Sequence, residues 1–188
     1  MALDLPEHHA AALDHTRRTV AGIDDEQWDL PTPCDDWDVR ALLQHLVSGN
    51  LWVSELTAGR TIEEVGGALD GDVLGNDPLA AYDASAAGAA AAFRADGAMD
   101  APVAVSYGPV PGSVYCGHRF IDVLIHGWDL AVATFQDTNL PEELVEACWE
   151  VVEPQQAELA GSGAFATVPV PEGGDLQTKL LAALGRTE

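Results

Sequence analysis

The chain has 188 residues and is 47% hydrophobic, enough for one domain with a sizeable core and a tight fit for two full ones. Thirty-one acidic residues against eight basic ones give a formal charge of −23, with Lys179 the sole lysine; such a surface repels nucleic-acid phosphates and anionic bilayers. An anionic ligand would have to be held locally, by a metal or by a few of the seven arginines.

Over residues 5–23, Leu5, His9, Ala12, Leu13, Thr16 and Val20 recur at helical spacing, which predicts a first amphipathic helix. His8, His9 and His15 lie on it, at spacings that suit a surface or helix edge better than a metal cluster. A connection with Pro31 and Pro33 follows. Asp35 or Asp36 can then cap a second helix, over 40–56, whose apolar stripe is Val39, Leu42, Leu43, Leu46 and Val53. His45 stands on the border of that stripe, and Gly49, one turn on, leaves room beside it; a structural histidine and a ligand both fit such a position. Cys34 either packs ahead of this helix or carries an acidified thiol, and three neighbouring aspartates oppose a thiolate.

Residues 59–78 are rich in Gly and Asp and read as a loop with a short turn at 61–65, a candidate lid or rim. The alanine-rich run over 77–95 predicts a third long helix with small side chains and no chemistry of its own. An alternating segment, 101–107, reads as extended, and 110–113 as a turn into a fourth long helix over 113–134. Pro141 opens a further helix over 142–159, kinked by Pro154, with Leu144, Val145, Cys148, Val151 and Val152 inward. Gly161-Ser162-Gly163 and Val168-Pro169-Val170-Pro171 lead to a short terminal helix over 175–184.

The fourth long helix is the informative one. At about 100° per residue, His118, Asp122, His126 and Asp129 share one narrow stripe, while Phe120, Val123, Leu124, Gly127, Leu130 and Ala131 spread over the remaining circumference. A polar, metal-competent stripe on an apolar background points to a buried element, and a divalent cation is a natural partner for buried carboxylate and imidazole. The same stripe also fits the wet face of an amphipathic helix.

Four long helices joined by long connections define an all-α bundle. There is no internal repeat, GxGxxG, P-loop or GxSxG elbow. Cys34, Cys116 and Cys148 are odd in number and widely spaced, which fits a reducing cytoplasm. The start does not look like a secretory signal, and no apolar run reaches the roughly eighteen residues of a membrane span, so a soluble cytoplasmic protein is expected.

Thr32-Pro33-Cys34-x-x-Trp37-x-Val39-x-x-Leu42-x-x-His45, combined with Asp122-x-x-x-His126-Gly127-Trp128-Asp129-Leu130-Ala131, resembles the actinobacterial metal-binding proteins of the DinB-like superfamily, and most of all the mycothiol-dependent maleylpyruvate isomerase-like proteins. The likeness runs from the first helix to the Val168-Pro169-Val170-Pro171 tail. It implies a DinB-like four-helix bundle with additional short C-terminal helices and at most a short extended segment. The domain would be single, with its core at about 5–159 and an extension over 160–188. It further implies one divalent metal held by His45, Asp122 and His126, with Asp129 supporting them from behind. His118 falls outside the matched ligand positions. In the isomerase the acidic ligand is a glutamate, so aspartate here shortens the reach by one methylene.

The spacing agrees with that ligand set. Asp122 and His126 lie about 40° apart on one helix face and can serve one ion, which His45 on an adjoining helix can complete. Zinc is the leading expectation, and nickel, iron or manganese suit two imidazoles and a carboxylate as well. Three protein ligands leave a position open, so the resemblance implies a mycothiol-dependent thiol transferase or maleylpyruvate isomerase-like enzyme, in which the metal ionises the thiol of mycothiol for attack on an electrophile. Arg119, about 60° from Asp122, is a candidate for holding a substrate carboxylate, or else an ordinary surface partner of Asp122. Expected partners are a small-molecule thiol and an electrophilic substrate, with no nucleic acid and no membrane; a homodimer is left open. The alternative is a non-catalytic metal-binding bundle acting as a sensor or partner-binding module.

Overall fold

The computed structural model describes residues 3–156, 168–170 and 173–187. Residues 4–136 form one compact unit, and residues 137–188 with 1–3 form another. The larger unit holds α1 (Leu5–Ala21), α2 (Val39–Thr57), α3 (Ile62–Val65), α4 (Pro78–Phe93), β1 (Pro102–Val105), β2 (Gly108–Pro111) and α5 (Gly112–Ala133). Helix α1 packs on α5 and α4, and α2 packs on α4 and α5, so the four long helices close into a bundle in which α2 and α5 are neighbours.

Local chemistry sets where these helices begin. Asp4 and Asp77 cap α1 and α4 through their side chains, each followed by a proline in the first turn, where its missing N–H costs nothing. Asp38, not Asp35 or Asp36, caps α2: its Oδ1 accepts from the Ala41 amide at 2.8 Å. The earlier aspartates are unavailable because Pro31 bridges to Asp38 and the Thr32 amide donates to the Trp37 carbonyl, folding 32–37 into a turn before the helix can start.

Helix α5 is buried on nearly every side. Phe120, Ile121, Val123, Leu124, Ile125 and Leu130 are enclosed, and so are His126 and Asp129 of the polar stripe, while His118 and Asp122 are partly covered. The stripe therefore turns into the bundle instead of lying wet on its surface. Close approach by α1 helps to enclose it: Thr16 Oγ1 donates to the Val123 carbonyl at 3.1 Å, and a Cβ on Gly127 would collide with the Thr16 side chain.

Two other expectations are corrected. Residues 110–111 do not form a turn, because β2 pairs antiparallel with β1, Val103 opposite Val110, and Ser106-Tyr107 form the hairpin tip. Pro109 and Pro111 gave the segment the look of a turn, yet a two-stranded ribbon is all edge and tolerates proline. His9 is not at a surface or helix edge. It is fully buried on the α1 face shared with Ala12, Leu13 and Thr16, its ring edge-on to Phe93 at 5.0 Å, and neither ring nitrogen has a hydrogen-bond partner among the described residues.

In the smaller unit, α6 (Glu142–Val152) packs on α7 (Leu176–Ala183). Gln177 ties the preceding segment to α7, accepting from the Leu140 amide at 2.8 Å and donating to the Thr138 carbonyl at 3.0 Å. The α-helix ends at Val152 and gives way to a 3-10 turn, Glu153–Gln155, that contains Pro154. The far end of the helix expected over 142–159, and the Gly161-Ser162-Gly163 loop, lie outside the described residues. No described helix is long and apolar enough to cross a membrane.

Burial, reinforced by Arg119 and Arg94, lowers the His9 pKa from 6.5 to about 3. The unfolded chain thus takes up a proton that the folded one refuses, so the stability tied to this ring is intact above pH 6.5 and is lost as pH falls toward 3. His9→Leu should stabilise the protein, and by about 2 kcal/mol more at pH 5 than at pH 7. Urea midpoints of both proteins at the two pH values check this.

Candidate metal centre

His45 projects from α2, and Asp122 and His126 from successive turns of α5. The bundle brings the three together, with one ligand atom from each all within 4.8 Å of one another. His45 Nε2 lies 3.2 Å from Asp122 Oδ1, and His126 Nε2 lies 3.5 Å from the same oxygen. Both imidazoles thus present Nε2 to one carboxylate oxygen.

Each of the three is held from behind. His126 Nδ1 sits 2.9 Å from Oδ2 of the wholly buried Asp129, so an ionised Asp129 takes the proton-bearing Nδ1 and leaves Nε2 facing Asp122 Oδ1. The Trp37 ring stacks on His45 with centroids 4.6 Å apart. Asp122 Oδ2 accepts from Arg119 Nη1 at 2.7 Å. Arg119 is buried and extends a polar chain through the bundle: its Nη2 donates to Asn50 Oδ1 at 3.3 Å, Asn50 Nδ2 donates to Ser85 Oγ at 3.3 Å, and Ser85 Oγ donates to the Tyr82 carbonyl at 3.0 Å. Gly49 makes this possible, because a Cβ there would lie 2.6 Å from the Arg119 Cζ.

The electrostatics follow from that arrangement. Burial pushes the Asp122 carboxyl up, but the Arg119 guanidinium, then His126 and His45, outweigh it and hold the group well below the usual carboxylate range. Burial likewise works against a charged His126, and Asp122 with Asp129 overcomes it, holding the imidazole well above its ordinary value.

All the residues singled out in the sequence as ligands or supports therefore gather here. Arg119 is no surface partner; its guanidinium is engaged by Asp122 and Asn50. His118 stands one turn before Asp122 and pairs with Tyr107 Oη at 2.6 Å. The sequence leaves Cys34 between packing and an acidified thiol and gives no site role to Asn50 or Ser85. The Cys34 thiol donates to Asp129 Oδ2 at 3.3 Å and lies 3.8 Å from His126 Nδ1, so it forms part of the support under the trio. Asn50 could have been flagged, since it falls on the apolar face of α2 with Leu46 and Val53, where a buried amide requires a polar partner. A cleft of about 500 Å³ opens beside the trio and is bordered by His45, Arg119 and Asp122.

A four-helix bundle with two imidazoles and a carboxylate converging between neighbouring helices defines a protein of DinB-like architecture. The chain belongs to the family described as the mycothiol maleylpyruvate isomerase N-terminal domain, whose pattern matches residues 9–131 and so takes in every residue of the trio and Asp129. An uncharacterized protein of Mycobacterium tuberculosis, found in two strains, is 38% identical over 185 residues, covering 95% of this chain and 96% of the relative. Among solved structures, the crystal structure of the mycothiol-dependent maleylpyruvate isomerase matches with a TM-score of 0.64 at 19% identity, covering 89% of this chain and 75% of the other. A histidine-to-alanine mutant of that isomerase matches with a TM-score of 0.60 at 20% identity, covering 93% and 74%. At such identities the two structures establish the shared fold.

Because an added methyl would overlap the Arg119 guanidinium that bonds Asp122 and Asn50, Gly49→Ala should lower stability by on the order of 1–3 kcal/mol, despite alanine's better helix propensity. Urea unfolding of the two proteins measures it.

Proposed function

We propose that the protein is a metal-dependent, mycothiol-using enzyme of the thiol transferase or maleylpyruvate isomerase-like kind, with its divalent ion, zinc first among the candidates, held by His45, Asp122 and His126. The observation that carries this reading is the convergence of His45 Nε2, Asp122 Oδ1 and His126 Nε2 beside a cleft, with the opposite atoms of Asp122 and His126 anchored by Arg119 and Asp129. Two imidazoles, each deprotonated at Nε2 when an ion is bound, and one carboxylate suit zinc, nickel, ferrous iron or manganese, and a three-residue set leaves room for an exogenous ligand. Family membership supports mycothiol as the thiol.

A divalent ion with an open position supplies the acidity that ionises a bound thiol at neutral pH. The chain supplies everything else. Asp129 keeps His126 in the tautomer that offers Nε2, Arg119 fixes the direction of Asp122, and Trp37 fixes the plane of His45. The protein's own buried thiols are poor nucleophiles: burial pushes Cys116 and Cys148 up to about 12. An external thiol is the nucleophile of the proposed chemistry, and the cleft would give it and an electrophile a common place to meet. Cys34, Cys116 and Cys148 form no disulfide with one another, which fits the reducing cytoplasm proposed for the chain.

Elemental analysis of the purified protein should find about one divalent ion per chain, falling to about one-tenth or less in His126→Ala. Asp129→Asn should weaken zinc binding by about 10- to 100-fold while the fold persists, as read by chelator competition and circular dichroism. Conjugation of mycothiol to an electrophile should disappear in His126→Ala. Turnover that survives this substitution would remove the proposed chemistry, and a bound ion without turnover would leave a metal-binding module.

A further inference from the structure

The cleft next to the trio has a mixed lining. His45, Asp122 and Arg119 border it together with Ser106, Tyr107 and His118, and its apolar wall is built from Trp52 and Leu56 of α2, Ile62 of α3, Val105 of β1 and the ring of Tyr115 of α5. Leu56 and Tyr115 are buried and belong to the same apolar cluster as Val53, Phe93 and Val103, against which Trp52, Ile62 and Val105 pack. The wall is thus an exposed margin of the core, held in place by packing.

The charges nearby are engaged within the protein. Arg119 is only 7% exposed; its two terminal nitrogens bond Asp122 and Asn50, and its Nε is enclosed without a hydrogen-bond partner among the described residues. Arg60, two residues from Ile62, binds Glu55 Oε2 and the Glu64 carbonyl, each at 2.6 Å. Tyr107 and His118, also on the cleft, hydrogen-bond each other at 2.6 Å. Around this stands a chain of net charge −23.

Building on the proposed thiol-transfer reading, we infer that the electrophile this site selects is neutral and largely apolar, of the class of aryl- or alkyl-substituted α,β-unsaturated ketones, and not a dicarboxylate. Maleylpyruvate, in the name of the structural neighbours, is a dicarboxylate. A divalent ion beside Asp122 would neutralise one of its carboxylates, and the other would be left against Trp52, Leu56 and Ile62, where an unpaired charge is strongly disfavoured. A neutral acceptor loses water from an apolar body there instead, which favours binding.

The test separates binding from turnover. The full chain, metal-free and zinc-loaded, is titrated without thiol by tryptophan fluorescence, using benzylacetone, a saturated aryl ketone that cannot react, and maleate. Benzylacetone should bind at least about tenfold tighter than maleate in both forms. Ile62→Lys should move that ratio about tenfold toward maleate. Ser106→Arg, at an exposed hairpin position on the cleft, should act in the same direction and serves if the first variant does not fold. Maleate binding as tight as the ketone, no saturable ketone binding, or a ratio that neither variant moves would overturn the inference. Absence of mycothiol turnover alongside the expected binding ratio would sink the thiol-transfer reading and leave the preference standing, whereas efficient mycothiol-dependent turnover of maleylpyruvate would do the reverse.

Discussion

The contact between Arg119 and Asp122 governs the rest of this molecule. A carboxylate between two imidazoles inside a helical bundle needs a permanent counter-charge, and the guanidinium supplies it through a 2.7 Å hydrogen bond while staying almost wholly enclosed. An enclosed arginine in turn needs acceptors, and α2 provides one in Asn50 and the space for the fork in Gly49. Asn50 passes its remaining donor to Ser85 on α4. One ionic contact on α5 has therefore dictated a glycine and an amide on α2 and a hydroxyl on α4, linking three of the four long helices.

The second organising piece is the turn ahead of α2. Residues 32–37 close on themselves through the amides of Thr32 and Trp37, and Thr32 Oγ1 adds a bond to the Trp37 carbonyl at 2.8 Å. That small structure delivers the Trp37 ring onto His45 and the Cys34 thiol onto Asp129. Thus both histidines of the trio are steadied by the same loop, His45 by stacking and His126 through Asp129. The amides of Thr32, Cys34 and Trp37 find their acceptors within the loop, which lets these residues sit against a buried site.

Much of this was legible before any coordinates. The four long helices follow from apolar residues at helical spacing, and the polar stripe of α5 follows from helix phase alone. What periodicity could not do was choose between a wet stripe and an enclosed one, since both have the same angular pattern. Nor could spacing elevate His45 above an ordinary border histidine; the motif resemblance did that. The partnerships of Arg119 with Asn50, and of Cys34 with Asp129, join residues 69 and 95 positions apart, and no local rule encodes them. Histidine as a residue type suggests a surface position for His9, but its helix phase in the Ala12, Leu13 and Thr16 row turns it inward. The β2 strand escaped notice because two prolines in four residues mimic a turn.

The divided duty of the Asp122 carboxylate has one more consequence. Its Oδ2 belongs to Arg119, so any cation seated between the imidazoles meets a single oxygen from this side chain. Large alkaline-earth ions such as calcium draw on six to eight oxygens and favour bidentate carboxylates. With one oxygen and two nitrogens on offer, the proposed site would discriminate against calcium by coordination number and hardness alike, in favour of compact, nitrogen-tolerant transition ions.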